Sequence, residues 1–198
     1  MNNYTQIHLH TELSLLDSCT NYKLYVDKAK ELGQTAISFT EHGNIFNWVA
    51  KKMYCEEQGI KYIHGIEVYL TEQLEPKVRD NFHTILLAKN WEGVKELNTL
   101  FSTSYQKDHK YYDPRISFDE FLGISDNIIK TSACLGSPLN KLSEENLYYD
   151  KLLQHYDYYE IQPHITKDKI QENYNLKLFE LSKKYNKPLI ARKRYSFS

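Results

Sequence analysis

The chain has 198 residues, 41% of them apolar and 26% charged, enough for the buried core and wetted surface of one domain. A formal charge of −1 excludes a broad basic field for gripping nucleic acid, though not a local one. Three scattered cysteines without a CxxC pair exclude a disulfide framework or zinc finger; with no signal-type apolar core and no run of about 18 apolar residues, a cytoplasmic protein is expected.

In chain order, residues 4–10 alternate as a strand does. Tyr22, Tyr25, Val26, Ala29 and Leu32 then keep helical spacing up to Gly33, a C-cap residue. Residues 35–40 (TAISFT) predict a strand, 45–58 a helix, 61–70 (KYIHGIEVYL) a strand and 82–88 (FHTILLA) another. Helix is expected over 91–106, a polar loop over 107–116, and a short helix near 117–122. A strand at 127–132, a helical region to about 154, a strand at 156–162, a long helix carrying Ile170, Tyr174, Leu178, Leu181 and Tyr185, and a strand at 188–191 complete the pattern. Strands separated by helices predict an α/β fold on a parallel sheet, open or closed into a barrel. No internal repeat or linker interrupts it, so residues 1–198 are expected to form one domain.

The chemistry lies at the strand ends. His8 and His10, one residue apart in an extended segment, leave the same face together, which is chelate geometry. Asp17 follows; His42 sits just past TAISFT, Glu67 within an otherwise apolar strand, His83 at the start of FHTILLA, and Cys134 after the strand ending TS. In α/β folds functional groups gather at one end of the sheet, so these positions can converge. Imidazole, carboxylate and thiolate together suit Zn²⁺, Mn²⁺ or Fe²⁺ better than Ca²⁺. Such a set is also what a two- or three-metal phosphoesterase uses to hold phosphate oxygens and activate water. Taken singly, each residue has an ordinary structural reading: the HxH pair a surface feature, His83 a satisfied core histidine, Cys134 a small buried hydrophobe. Glu67 is harder to dismiss, because burying an unpartnered carboxylate costs several kcal/mol. His64, His109, His155 and His164 read as packing or solvent-facing histidines.

Taken in order, "HLHTELSLLDS", "ISFTEHGNIFNWV", "GIEVYL", "FHTILLAKNWEGVKELNTLFS", "PRISFDEFL", "TSACLGSPL" and "YYEIQPH" resemble the successive motifs of the PHP (polymerase and histidinol phosphatase) domain. The resemblance runs from about residue 5 to 191 and is closest to the version that opens the alpha subunit of bacterial DNA polymerase III, through "LLAKNWEGVKELNTL" and "ACLGS". It implies a distorted seven-stranded β/α (TIM-like) barrel with two or three divalent ions at one end. Carried over by position, the metal ligands are His8, His10, Asp17, His42, Glu67, His83 and Cys134, with His8, His10, Asp17, Glu67 and His83 expected to carry catalysis. Glu41 replaces the family's usual Asp before His42 and leaves that ligand in place.

The resemblance fails at the end. The family's last two ligands form an Asp-x-His after a late strand, whereas Arg194 and Ser196 stand there, and an arginine has no acceptor with which to ligate a cation. With suitably chosen codons, deleting one A from the bases encoding 192–197 restores Arg-Asn-Asp-Ile-His. The expectation is therefore a barrel incomplete at its C-terminus, with 192–198 a frameshifted or misread end and the polymerase domains absent. Three functions compete: the PHP module of a replicative DNA polymerase with metal-dependent phosphoesterase or 3′–5′ exonuclease chemistry, a stand-alone phosphoesterase, and a non-catalytic scaffold or remnant. The first implies DNA and replisome subunits as partners, a proofreading subunit among them, and no membrane.

Overall fold

The structure, a computed structural model, describes residues 4–163 and 169–192. The helix α1 (Tyr22–Glu31) starts where Asn21 accepts a hydrogen bond from the Lys23 N–H, and it buries Val26 and Ala29. It ends as expected, with Gly33 at φ +69° turning the chain into β1 (Ala36–Phe39). There follow α2 (Trp48–Glu57), β2 (Lys61–Thr71), β3 (Phe82–Ala88) and α3 (Trp91–Ser104). The second half holds β4 (Arg115–Ser117), α4 (Phe118–Leu122), β5 (Ile128–Thr131), α5 (Pro138–Lys141), α6 (Tyr149–His155), β6 (Tyr159–Ile161), α7 (Ile170–Tyr185) and β7 (Leu189–Ala191). None of the described helices is long and apolar enough to cross a membrane.

The expected all-parallel sheet needs correction. β1 runs parallel to β2, with α2 as the crossover, but β3 is antiparallel to both β2 and β5. A parallel return needs a crossover of a dozen or more residues, usually a helix. Residues 72–81 between β2 and β3 contain none, so the chain folds straight back. The loop expected at 107–116 also gives way at its end, where Arg115–Ser117 pairs parallel with Tyr69–Thr71. Its three residues are too short to show a period, yet Ile116 is fully buried and fixes them in the core.

Residues 6–9 lie along β1, held by Ser38 N–H to the Gln6 carbonyl and Thr40 N–H to the Leu9 carbonyl, each at 2.8 Å. A single bridge, Gln6 to Ile37, stands where a full strand was expected. At the other edge a bridge from Thr131 to Tyr158 joins β5 to the parallel pair β6–β7. The N-terminal segment, β1, β2, β3, β5, β6 and β7 are thus successive neighbours in a mixed α/β arrangement, a five-stranded and a two-stranded sheet joined by single bridges, with β4 flanking β2. Among the described residues no ladder joins β7 to the N-terminal segment. The larger core, including Leu70, Leu86, Leu97, Phe121 and Leu178, packs the helices on the sheet; a smaller one with Val26, Phe39 and Cys55 seats α1 and α2.

Candidate metal centre

The strand directions explain why distant residues meet. The N-terminal segment, β1, β5, β6 and β7 deliver their C-terminal ends to one rim, and antiparallel β3 delivers its first residues there. His8 and His10 reach Glu67 together, as their alternation requires: His8 Nε2 lies 2.8 Å and His10 Nε2 3.2 Å from Glu67 Oε2. His42 is set by register, since the loop after β1 bridges to Glu67 and the Gly43 N–H donates to the Glu67 carbonyl at 2.8 Å. On β3 the residue opposite Glu67 is Ile85, so His83 is its diagonal neighbour, within side-chain reach on the same face. His83 Nδ1 lies 2.6 Å from Glu67 Oε1.

Asp17 approaches from a loop, its Oδ2 3.6 Å from His42 Nε2 and 3.9 Å from His10 Nε2. The rings of His10 and His42 stack at 4.1 Å. Three overlapping triads could each hold an ion: His8, His10 and Glu67; His10, Asp17 and His42; and His42, Glu67 and His83. Cys134 belongs to none of them. Its Sγ sits 3.5 Å from His83 Nδ1, on a turn whose Gly136 carbonyl accepts the His83 N–H at 2.9 Å.

Two buried atoms in this cluster have no hydrogen-bond partner, His42 Nδ1 and Glu67 Oε1. The 2.6 Å approach of His83 to Glu67 Oε1 does not remove the second, because the contact lies off the direction a hydrogen bond needs. The two atoms lie 3.6 Å apart, and a cation between them would satisfy both, so the donor set fits a divalent metal. Without a metal, the same carboxylates draw protons onto the imidazoles. Burial opposes a charge on His8, but Glu160 and Glu67 hold its pKa up at about 9; burial likewise opposes His83, which Cys134 and Glu67 raise to about 10. Burial raises the Glu67 carboxyl, yet the surrounding imidazoles, His8 foremost and then His10 and His83, bring it well below the usual range. The pocket is thus built to concentrate positive charge around one buried carboxylate.

Two residues of this network were not singled out from the sequence. Glu160 on β6 is 1% exposed, and its Oε1 lies 2.7 Å from His8 Nδ1, fixing the ring so that Nε2 faces the cluster. Its signal was the one that marked Glu67, an acid in an apolar strand, within the quoted "YYEIQPH". Lys51 on α2, 2% exposed, donates to Glu41 Oε1 at 2.6 Å and had no sequence signal. Glu41 itself belongs to none of the triads and ties the loop carrying Asp17, accepting from Thr11 N–H at 3.0 Å, Thr11 Oγ1 at 2.6 Å and Ser14 Oγ at 2.5 Å. Of the other histidines, His64 bonds Tyr62 and Asn98, His109 lies between Asp108 and Glu120, and His155 packs on Phe121. His164, Arg194 and Ser196 lie outside the described residues.

Mixed α/β architecture and a rim of histidines and carboxylates define a class of domain in which a strand-end cluster faces a cleft. Residues 6–176 match the PHP domain, and the chain belongs to that family. Over 95% of its length it is 34% identical to DNA polymerase III subunit alpha of Borreliella burgdorferi, and over 96% it is 36% identical to that of Campylobacter jejuni. These alignments cover 17% and 18% of those proteins, so the chain spans less than a fifth of its curated relatives. Among solved structures, a Bifidobacterium adolescentis chain described as a metal-dependent phosphoesterase superposes with TM-score 0.61 at 14% identity, covering 97% of this chain and 87% of that one. An amidohydrolase from Chromobacterium violaceum superposes with TM-score 0.57 at 12% identity, covering 98% and 87%. Both share the fold.

Proposed function

We propose that this chain is the PHP module of a DNA polymerase III alpha subunit and that its cleft binds two or three divalent ions to cleave a phosphoester, in the manner of a 3′–5′ exonuclease. The observation that carries the reading is Glu67: fully buried, with three histidine nitrogens within 3.2 Å of its two oxygens and one oxygen left without a hydrogen bond. His8, His10, His42, Glu67 and His83 would hold the ions, Asp17 would close the open side, and Cys134 would complete the shell beside His83. Bound ions of the Zn²⁺, Mn²⁺ or Fe²⁺ type supply Lewis acidity toward phosphate oxygens and activate water. The chain's own part is to orient: Glu160 holds His8 in one ring orientation, and the Glu41–Lys51 pair holds the loop that brings Asp17 over the cleft. Polymerisation would reside elsewhere in the parent protein, whose partners would be DNA, replisome subunits and a proofreading subunit in the cytoplasm.

A second reading, a non-catalytic scaffold, is favoured by one observation, the arginine at position 194 where the family places a ligand. The same experiment weighs both. The chain is stripped with EDTA, reloaded with Mn²⁺ or Zn²⁺ and dialysed; bound metal is counted, and hydrolysis of bis(p-nitrophenyl) phosphate and of a 3′-labelled oligonucleotide is followed. Stoichiometric metal with turnover that His10→Ala abolishes is the expected outcome. Metal without turnover supports the scaffold, and undiminished activity in His10→Ala at matched purity rules the mechanism out.

A further inference from the structure

The cleft is larger than a metal cluster needs. Its volume is about 780 Å³, within the range of sites that hold whole organic ligands. Past the imidazoles, its lining includes Gln162, Gln171 and Arg192. The topology puts the three side by side. Ile161 pairs with Ala191, so Gln162 and Arg192 leave the β6–β7 ladder together, while Gln171 is the second residue of the 16-residue helix α7.

Two buried polar atoms on this wall lack a hydrogen-bond partner, Gln171 Oε1 and Arg192 Nε. Gln171 is only 1% exposed, and its amide is not free to turn. Its Nε2 donates to Asn175 Oδ1 at 2.9 Å, and Asn175 is fixed in turn because its Nδ2 donates to the Gln162 carbonyl at 2.8 Å. Oε1 is therefore an acceptor with nothing to accept, at a cost of about 1–3 kcal/mol unless something fills it. Arg192 lines the same cleft as His8, His10 and Glu67, which places it at the margin of the cluster. An arginine fork matches phosphate oxygens, and the N-terminus of α7 adds the positive end of its dipole. The acceptor on Gln171 calls for something different, a hydroxyl or ring N–H.

We infer that Arg192 and Gln171 form a substrate subsite beside the cluster, Arg192 holding phosphate oxygens of a phosphoester and Gln171 accepting a hydrogen bond from its sugar hydroxyl or base N–H. The inference rests on the phosphoester reading of the cleft and narrows its substrate to phosphates that carry such a donor. Nucleotides and simple sugar phosphates share that chemistry. Neither residue is among the ligands carried over from the family, so the subsite can be tested with the metals removed.

The test is calorimetric titration of the EDTA-stripped chain with thymidine 5′-monophosphate, ribose 5-phosphate and inorganic phosphate. Both esters are expected to bind more tightly than inorganic phosphate, which has no donor held at a distance from its charge. Tighter binding of the thymidylate identifies a nucleotide subsite; tighter binding of ribose 5-phosphate identifies a sugar-phosphate one. Arg192→Ala and Gln171→Leu are each expected to weaken ester binding about tenfold, the worth of one well-made hydrogen bond. Arg192→Lys should restore part of the loss and, with Gln171→Asn, carries the test if the first variants fail to fold. Unchanged affinity in the variants, or no saturation by either ester in the millimolar range, overturns the inference. Manganese stoichiometry of the same variants separates the two proposals: a failure of metal loading or turnover leaves the metal-free binding result standing, and a failure of ester binding leaves the metal count intact.

Discussion

A metal-ligating imidazole is only as well placed as the group on its second nitrogen. His8 is gripped on both sides, Nδ1 by Glu160 at 2.7 Å and Nε2 by Glu67 at 2.8 Å, with all three residues 1% exposed or less. Glu160 is steadied in turn by the Thr131 hydroxyl at 3.3 Å and by its own N–H, which donates to Ser132 Oγ at 2.9 Å. Replacing Glu160 with Gln keeps the shape and removes the charge that raises the basicity of His8. Metal affinity is expected to fall about 10- to 100-fold, the usual effect of losing an outer carboxylate, while the other ligands stay in place. Competition with a chromophoric chelator checks this, and an affinity unchanged within twofold would reduce Glu160 to a packing residue.

Among the elements, α3 shows how little room the sheet leaves its helices. A Cβ placed on Gly93 would meet the Asn127 carbonyl oxygen at 2.4 Å and the Ala88 Cα at 3.3 Å, so the helix start presses directly on the backbone leading into β5. Gly93→Ala removes a helix-weakening glycine worth about 1 kcal/mol, yet it should destabilise the chain by about 1–3 kcal/mol, because backbone on both sides must move. Urea unfolding checks the sign: stabilisation would mean that α3 can slide. Most strands that place the site were legible in the sequence, the short β1, β5, β6 and β7 included, at 35–40, 127–132, 156–162 and 188–191. β3 was bounded at 82–88 and β2 to within one residue, and the acid inside β2 marked Glu67 as partnered. β4, three residues long, shows no period and reads as loop; β6 falls inside the strand expected at 156–162, but Glu160 within it went unmarked. The reversal of β3 was legible only in what residues 72–81 lack, and the Glu41–Lys51 pair, which crosses from loop to helix, leaves no pattern at all.

At the scale of the whole molecule, a buried neutral histidine outside the metal cluster contributes to acid stability. His64 on β2 is 4% exposed. As a neutral ring it is fully satisfied, its Nε2 donating to Asn98 Oδ1 at 3.1 Å and its Nδ1 accepting from the Tyr62 hydroxyl at 3.0 Å. Trp48 packs edge-on at 4.9 Å. Burial lowers its pKa to about 4, the Asn98 hydrogen bond opposing and the Lys51 charge assisting. Its folded pKa thus lies below the value of about 6.5 in the unfolded chain, so between those pH values the unfolded state binds the extra proton. Stability from this group is complete above about pH 6.5 and drains away as pH falls toward 4, by up to about 1.4 kcal/mol per pH unit and on the order of 3 kcal/mol in total. His64→Gln cannot take up that proton, so its unfolding free energy, followed by urea titration at several pH values, should lose this slope and converge on the parent's at acid pH. An acid limb as steep in His64→Gln as in the parent would assign the proton uptake to other groups and place Tyr62 and Asn98 as sufficient partners for a charged ring.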